Sequence, residues 1–301
     1  MDSPTLHIID PTALESLFAS LRQRGHTLVG PMVRDNAVVY DVIMSAGDLP
    51  VGWGDVQEPG KYRLQRRHDK AIFGYNLGPH SWKKFLFPPA LRLFAASRNK
   101  EGVVFVDGGS NGSLTQQTSV GDDRPERYVF IGVRPCELSA MFVQDKVFMA
   151  GPYADPHYAA LRDRAFIVAV NCSQSAETCF CTSMNTGPKA ERGFDLSLTE
   201  VLNDSLHYFL VEVGSKKGAE VLEDVQHRDA TDAQIEEANH IVHCTAQTMK
   251  RRLDTTDIKS LLQHNLEHPR WEVVASRCLA CANCTMVCPT CFCTTVEDTT
   301  D

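Results

Sequence analysis

The most constraining feature of the chain is a run of closely spaced cysteines near its carboxyl end. The run reads Cys278-x2-Cys281-x2-Cys284-x3-Cys288-Pro289. This spacing lets three thiolates lie on one tight turn around a cubane of iron and sulfide, and the proline redirects the chain after the fourth cysteine. In proteins with two such cubanes, the fourth cysteine ligates the second one. The motif therefore predicts a 4Fe-4S site.

Zinc is the alternative metal for these thiols, because Cys-x2-Cys pairs also build tetrahedral zinc sites. Structural zinc sites usually take two separated pairs, whereas this chain offers one continuous quartet. The quartet favours iron–sulfur chemistry of the bacterial ferredoxin type and an electron-transfer role. A zinc-stabilised assembly subunit without redox activity remains open at this point.

Composition and charge bound the class of protein. Eleven cysteines in 301 residues suggest disulfides in a secreted protein, but metal ligands in a reducing compartment. The first ten residues have neither a basic start nor an apolar core, and no apolar run approaches the ~20 residues that cross a bilayer. The formal net charge of −8 gives no basic face for nucleic acid. We therefore expect a cytoplasmic protein that binds neither nucleic acid nor membrane.

Short apolar runs that alternate with helical patterns predict an α/β (or α+β) fold. The predicted strands are Val103–Val106, Tyr128–Val133, Phe166–Val170 and Tyr208–Val213. The predicted helices include Glu137–Val147, Asp155–Arg164, residues 231–250 and Thr256–His268. Strand–helix–strand alternation favours right-handed crossovers. We therefore predict a mixed, largely parallel sheet with flanking helices over residues 1–270, followed at 271–301 by the start of a small ferredoxin-like, cluster-binding domain.

Four further cysteines follow two of the predicted strands. They are Cys136, after the strand Tyr128–Val133, and Cys172, Cys179 and Cys181, after the strand Phe166–Val170. If the two strands are parallel neighbours, both loops emerge at the carboxyl edge of the sheet, where open α/β sheets bind ligands. The helix that follows the first strand would point its positive end there and favour an anionic cluster. These four thiols are therefore a candidate additional 4Fe-4S site.

Two simpler interpretations of the same four cysteines remain open. Free cysteine is often a small buried apolar residue, and Cys136 and Cys172 fit that role. The closely spaced Cys179 and Cys181 could instead form a redox pair. Only the topology of the predicted sheet brings the four residues together.

Several segments carry a resemblance that covers nearly the whole chain. They are residues 278–293, Arg134–Leu138, Thr178–Cys181, Ser183–Pro188, Pro59–Leu64 and Gly78–Lys83. Together they resemble the 4Fe-4S dicluster-domain subunits. This group includes the beta subunits of cytoplasmic nickel–iron hydrogenases, also called sulfhydrogenases, and the A subunit of anaerobic sulfite reductase. The cysteine block is the most specific part of the resemblance.

The resemblance implies an electron-relay subunit rather than a catalyst, so no catalytic residue is expected on this chain. Its cofactors would be 4Fe-4S clusters, with FAD and NAD(P) expected on a partner subunit. The other partners would be the small and large subunits of a nickel–iron hydrogenase, or the subunits of a sulfite reductase. The cysteine pattern does not separate the two complexes, and an NAD(P)-linked hydrogenase is the favoured one.

The chain departs from the family pattern in one respect. Members of the family carry a second Cys-x2-Cys-x2-Cys-x3-Cys-Pro motif downstream, and this chain stops at Asp301 before such a motif. We therefore expect a shortened dicluster domain whose first three cysteines lack their distant fourth ligand. Cys288, Cys291 or Cys293 would then substitute for it.

Overall fold

One mixed sheet of eight strands organises most of the chain. The computed structural model describes residues 6–76, 78, 80–92, 95–100, 102–106, 126–203 and 205–298. The strands are β1 Leu6–Ile9, β2 Thr27–Arg34, β3 Ala37–Val42, β4 Trp53–Glu58, β5 Lys61–Arg66, β6 Ala95–Asn99, β7 Gly102–Val106, β8 Tyr128–Val133, β9 Phe166–Val170, β10 Leu196–Leu202, β11 His207–Val213 and β12 Arg228–Asp229. The helices are α1 Ala13–Gln23, α2 Lys83–Leu86, α3 Pro135–Phe148, α4 Pro156–Arg164, α5 Lys216–Leu222, α6 Asp232–Thr248, α7 Ile258–Gln263, α8 Arg270–Ala275 and α9 Asn283–Val287.

The strands of the large sheet lie in the order β12-β1-β11-β10-β9-β8-β2-β3, and β4-β5 and β6-β7 form two separate hairpins. The central strands β10, β9, β8 and β2 pair in parallel, whereas the pairs on both flanks are antiparallel. The predicted α/β class is confirmed, but "largely parallel" describes only the centre of the sheet. The connections explain this, because the few residues between β10 and β11 and between β2 and β3 can join only antiparallel strands.

The sheet is covered on both faces. Leu14, Leu17, Phe18 and Leu21 of α1 are buried in the core on one face. Helices α3 and α4 cover the other face together with α2, whose neighbour Trp82 is only 1% exposed. Both faces of the central strands are therefore sealed, and β8 and β9 are buried along their whole length.

Predicted helices agree best with the structure where a capping residue marks their start. Helix α4 begins after Asp155, whose carboxylate accepts the backbone N–H groups of His157 and Tyr158. Helix α6 begins after Thr231 in a capping box with Gln234. The helix predicted over Thr256–His268 was only partly right, because the helix there, α7, is limited to Ile258–Gln263. A separate helix, α8, begins at Arg270.

Membrane-spanning helices were also sought in the described ranges of the chain. None of the helices found there combines the length and the apolar character that a bilayer crossing requires.

The segment that follows β5 is tied to the sheet by a buried carboxylate. Glu200 on β10 accepts the backbone N–H groups of Ile72 at 2.7 Å and Phe73 at 2.8 Å, and its carboxylate lies 2.8 Å from Nε2 of His207. Its side chain is 4% exposed. The carboxylate thus fixes residues 72 and 73 on the sheet, next to the loops that follow β8 and β9.

We predict that Glu200→Gln lowers the free energy of unfolding by about 1–3 kcal/mol, because one of two buried N–H groups then faces an amide NH2 instead of an acceptor. Urea unfolding followed by circular dichroism measures this difference. Glu223→Gln, at an exposed position after α5, serves as the control and should leave the midpoint unchanged. Equal midpoints for the two variants would contradict the prediction.

Candidate metal centre

The loops after β8 and β9 bring four cysteines to one edge of the sheet. Cys136 lies in the first turn of α3, directly after β8, and the other three lie in the loop that follows β9. Because β8 and β9 are parallel neighbours, both loops emerge at the same edge. The thiol of Cys136 interacts electrostatically with those of Cys172, Cys179 and Cys181. The structure therefore brings the predicted four together, and we call them the sheet-edge thiol group.

Burial governs the ionisation of the sheet-edge thiol group. It raises the pKa of Cys136 well above the ordinary value, and it also raises the pKa of Cys172 and Cys179. Burial raises the pKa of Cys181 to about 11, with further contributions from Cys172 and Cys179. In the metal-free chain these side chains are therefore neutral thiols at pH 7. A bound metal would have to displace their protons.

A buried arginine stands beside this group. Arg134 is 3% exposed. Its guanidinium donates hydrogen bonds to the backbone carbonyls of Phe73 at 2.7 Å, Tyr75 at 2.8 Å and Asn171 at 3.3 Å. The same cation opposes the effect of burial on the pKa of Cys172. Arg134 thus joins three segments of the chain and supplies positive charge at the sheet-edge thiol group.

A buried glutamate directly follows Cys136 in the chain. The carboxylate of Glu137 accepts hydrogen bonds from Nε1 of Trp82 at 2.8 Å, the hydroxyl of Tyr40 at 3.1 Å and the backbone N–H of Arg134 at 3.0 Å. Burial raises the pKa of Glu137 to about 7, although these hydrogen bonds act in the opposite direction. The carboxylate caps the first turn of α3 and so fixes the backbone next to Cys136.

The loop that carries three of the thiols is held by the β4–β5 hairpin and its continuation. The guanidinium of Arg67 donates to the side-chain oxygen of Gln174 at 2.7 Å, and the hydroxyl of Thr178 donates to that of Gln57 at 3.2 Å. These contacts come from residues more than 100 positions away in the sequence. They fix the loop at Gln174 and Thr178, just before Cys179 and Cys181.

Gly187 allows the chain to pass close to the thiols. A Cβ atom at this position would lie 3.1 Å from Sγ of Cys181 and 3.3 Å from Cβ of Pro135. Its φ of +159° also lies at the edge of the region that other residues rarely adopt. The next residue, Pro188, accepts the backbone N–H of Cys172 at 3.1 Å. The segment therefore closes the loop of the sheet-edge thiol group upon itself.

The donor set fits an iron–sulfur cluster. It consists of four thiols, which is the usual ligand set of a 4Fe-4S cube. Within the described ranges, no three His, Cys, Asp or Glu side chains are arranged to hold a single metal ion. A cube binds each thiolate at a different iron corner, so its ligands stand farther apart than those of a single ion. Ligation by these residues stays a prediction.

The cysteines near the carboxyl end form a more exposed group. Cys278, Cys281, Cys284 and Cys293 are exposed, whereas Cys288 and Cys291 are half-buried. A hydrogen bond with the hydroxyl of Thr290 lowers the pKa of Cys288 to about 7, with a further contribution from the thiol of Cys291. Cys291 also interacts with Cys284. The structure thus brings Cys284 and Cys288 together with Cys291, which is one of the predicted substitute ligands.

The backbone bends sharply between the first cysteines of this C-terminal thiol group. Ala280 and Ala282 both adopt left-handed conformations, with φ of 52° and 57°. Non-glycine residues in this region cost about 1–3 kcal/mol and tend to occur at ligand-binding sites. The backbone N–H of Ala280 donates to Sγ of Cys278 at 3.3 Å. The bends and this N–H···S contact are typical of a chain that wraps around a cluster.

The sequence did not identify the charged residues that support the two groups. Glu137 appeared in the sequence analysis only as the start of a predicted helix, and Arg134 only within a segment of the resemblance. Both lie in the segment Arg134–Leu138 that carried the resemblance, as Trp82 lies in Gly78–Lys83. Their location in segments that carry the resemblance was the sequence signal that these residues do more than fill the core.

The fold and the two groups together define a cysteine-rich α/β protein with two candidate metal centres. No family model matches the chain. It is 31% identical over 251 residues to sulfhydrogenase 2 subunit beta of Pyrococcus furiosus, in an alignment that covers 82% of this chain and 68% of that protein. The chain therefore belongs to the family of sulfhydrogenase beta subunits, as the resemblance indicated.

We predict that the sheet-edge thiols resist alkylation in the metal-free protein. At pH 7 iodoacetamide should modify Cys278 and Cys281, which are exposed, before Cys172 and Cys181, because burial raises the pKa of the latter two. Labelling of the second pair should rise as the pH is raised to 9 and above, as more thiolate forms. Mass spectrometry of tryptic peptides gives the order.

Urea-unfolded protein provides the control, since all four cysteines should then react at similar rates. Equal labelling of the two pairs in the folded protein at pH 7 would contradict the burial of the sheet-edge thiol group.

Proposed function

We propose that the chain is an iron–sulfur electron-transfer subunit of a cytoplasmic oxidoreductase complex of the hydrogenase type. It would relay electrons between a flavin/NAD(P)-binding subunit and the catalytic subunits of a nickel–iron hydrogenase. The chain itself would carry no catalytic residue. Membership of the sulfhydrogenase beta-subunit family supports the hydrogenase over the sulfite reductase alternative.

The observation that carries the proposal is the convergence of four thiols beside a buried cation. Cys136, Cys172, Cys179 and Cys181 would ligate one 4Fe-4S cluster, which would supply one-electron redox chemistry. Arg134 would stabilise the negative charge of the ligated site, and burial by the covering loops would exclude water. Both effects tune reduction potential. A structural role for the cysteines alone does not require a buried arginine that faces them.

The C-terminal thiol group would hold a second cluster. Its ligands would be Cys278, Cys281, Cys284 and Cys288, with Cys291 or Cys293 as a substitute where a distant ligand is absent. This group is more exposed than the sheet-edge thiol group. An exposed cluster is the suitable end of a relay, because electron exchange with a partner requires close approach. We therefore propose that it serves as the contact to a partner subunit.

Anaerobic purification followed by analysis of metal and sulfide tests the proposed cofactor. The protein should contain iron and acid-labile sulfide and show the broad visible absorption of iron–sulfur clusters, which dithionite should bleach. Zinc in place of iron and sulfide would contradict the relay and would favour the zinc-stabilised alternative.

We predict that the double variant Cys179→Ser/Cys181→Ser loses about four iron atoms per chain relative to the parent protein, because serine replaces two of the four ligands of one cube. Cys244→Ser is the matched control. Cys244 belongs to neither thiol group and lies on α6, where its Sγ is 3.3 Å from Nε2 of His240. Iron content unchanged in the double variant would exclude these two residues as ligands.

A further inference from the structure

The C-terminal segment is held on the larger domain by a buried lysine. Lys83 on α2 is 7% exposed. Its ammonium donates to the carbonyls of Thr285 at 3.0 Å, Cys288 at 2.9 Å and Cys291. An ammonium has three N–H donors, so these three carbonyls use all of them. A buried charge is costly unless it is fully hydrogen-bonded, and here the C-terminal segment provides the partners.

Two of the three carbonyls that Lys83 binds lie at the carboxyl end of α9. Thr285 lies in α9 and Cys288 directly follows it, and the last carbonyls of a helix have no N–H donor ahead of them. A cation is also favourable at this end of a helix. A second contact lies nearby, where the ring of Phe292 meets that of Phe148 on α3 with 5.5 Å between centroids. The segment is thus fixed at two places.

Lys83 and its neighbour Trp82 contact both parts of the chain that carry the thiol groups. Trp82 donates to Glu137, which follows Cys136 in the sequence. Trp82, Lys83 and Glu137 also line a small cleft together with Val287 and Pro289. Trp82 and Lys83, at the start of α2, therefore contact the first turn of α3 next to one thiol group and the backbone of the other.

We infer that Lys83 is a positioning residue that docks the C-terminal thiol group onto the α/β domain and fixes its distance from the sheet-edge thiol group. The docking is a property of the polypeptide, and only its value for electron transfer rests on the proposed function. The same ammonium lies beside the ligand backbone of the C-terminal group. It would therefore stabilise a reduced, more negative cluster and raise its reduction potential.

Hydrogen–deuterium exchange of the metal-free protein tests the docking. We predict that Lys83→Met accelerates exchange in the peptide over residues 283–292 about tenfold, equivalent to ~1.4 kcal/mol, because the local opening becomes easier. Lys84→Met is the matched control. It removes the same charge from the next residue of α2, whose ammonium lies over the ring of Phe85 and lowers the pKa of Asp41. Exchange in β8 and β9 should be unchanged in both variants.

Unchanged exchange over residues 283–292 in Lys83→Met would overturn the docking, whatever the iron content. Should that variant fail to fold, Lys83→Arg provides the same test. It keeps the charge but replaces the three converging donors by a planar fork, so exchange should again be faster than in the parent, and an unchanged rate would overturn the inference.

The cluster-loaded protein gives the second readout. Redox titration should show a more negative potential for the C-terminal cluster in Lys83→Met than in Lys84→Met, and equal potentials would overturn the electrostatic part of the inference. A protein that binds no iron but shows faster exchange in Lys83→Met would support the docking and contradict the proposed relay. The two failures are therefore distinguishable.

Discussion

The buried guanidinium of Arg134 is the interaction on which the candidate metal centre depends. Removing a cation from water costs several kcal/mol unless its donors and its charge are both satisfied. The carbonyls of Phe73, Tyr75 and Asn171 accept hydrogen bonds from this guanidinium, but they carry no net charge. The arginine therefore joins the segment after β5 to the loops after β8 and β9, and it leaves a positive charge to be balanced.

The neighbours of Arg134 supply little of that balance in the metal-free chain. Burial raises the pKa of Glu137 to about 7, so its carboxylate is only partly ionised at neutral pH. The sheet-edge thiols are neutral there, because burial raises their pKa as well. Ligation of iron would convert four thiols to thiolates around a net anionic cluster. The proposed cluster would bring the negative charge that balances this buried cation.

The sequence predicted the position of this site because one topological rule was sufficient. Two apolar strands, Tyr128–Val133 and Phe166–Val170, are parallel neighbours, so the cysteines after them meet at one edge. The sheet as a whole was predicted less well, since β10 was not recognised. Three of its residues, Ser197, Thr199 and Glu200, are polar and yet buried. Thr199 accepts a hydrogen bond from Asn171, and Glu200 accepts the backbone N–H groups of Ile72 and Phe73. These polar residues interrupt the apolar run that would have marked a buried strand.

The contacts of Lys83 could not be predicted from the sequence for a related reason. A lysine in a short helical segment is normally solvated, and the groups that bind this one are backbone carbonyls more than 200 residues away. Carbonyls are present at every position, so no residue type in the C-terminal segment signals the contact. Sequence patterns identify ligands such as cysteine by their chemistry, but they cannot identify a side chain that recognises only the path of another backbone.

The raised thiol pKa values connect cluster binding to the stability of the fold. A group whose pKa is higher in the folded chain stabilises that chain below its unfolded pKa, and this contribution is lost as the pH rises through the folded value. For Cys181 the loss falls between the ordinary value of 9.0 and about 11. The metal-free sheet edge is therefore stable at neutral pH because its thiols keep their protons. Iron would replace those protons, so ligation at this site would depend on pH.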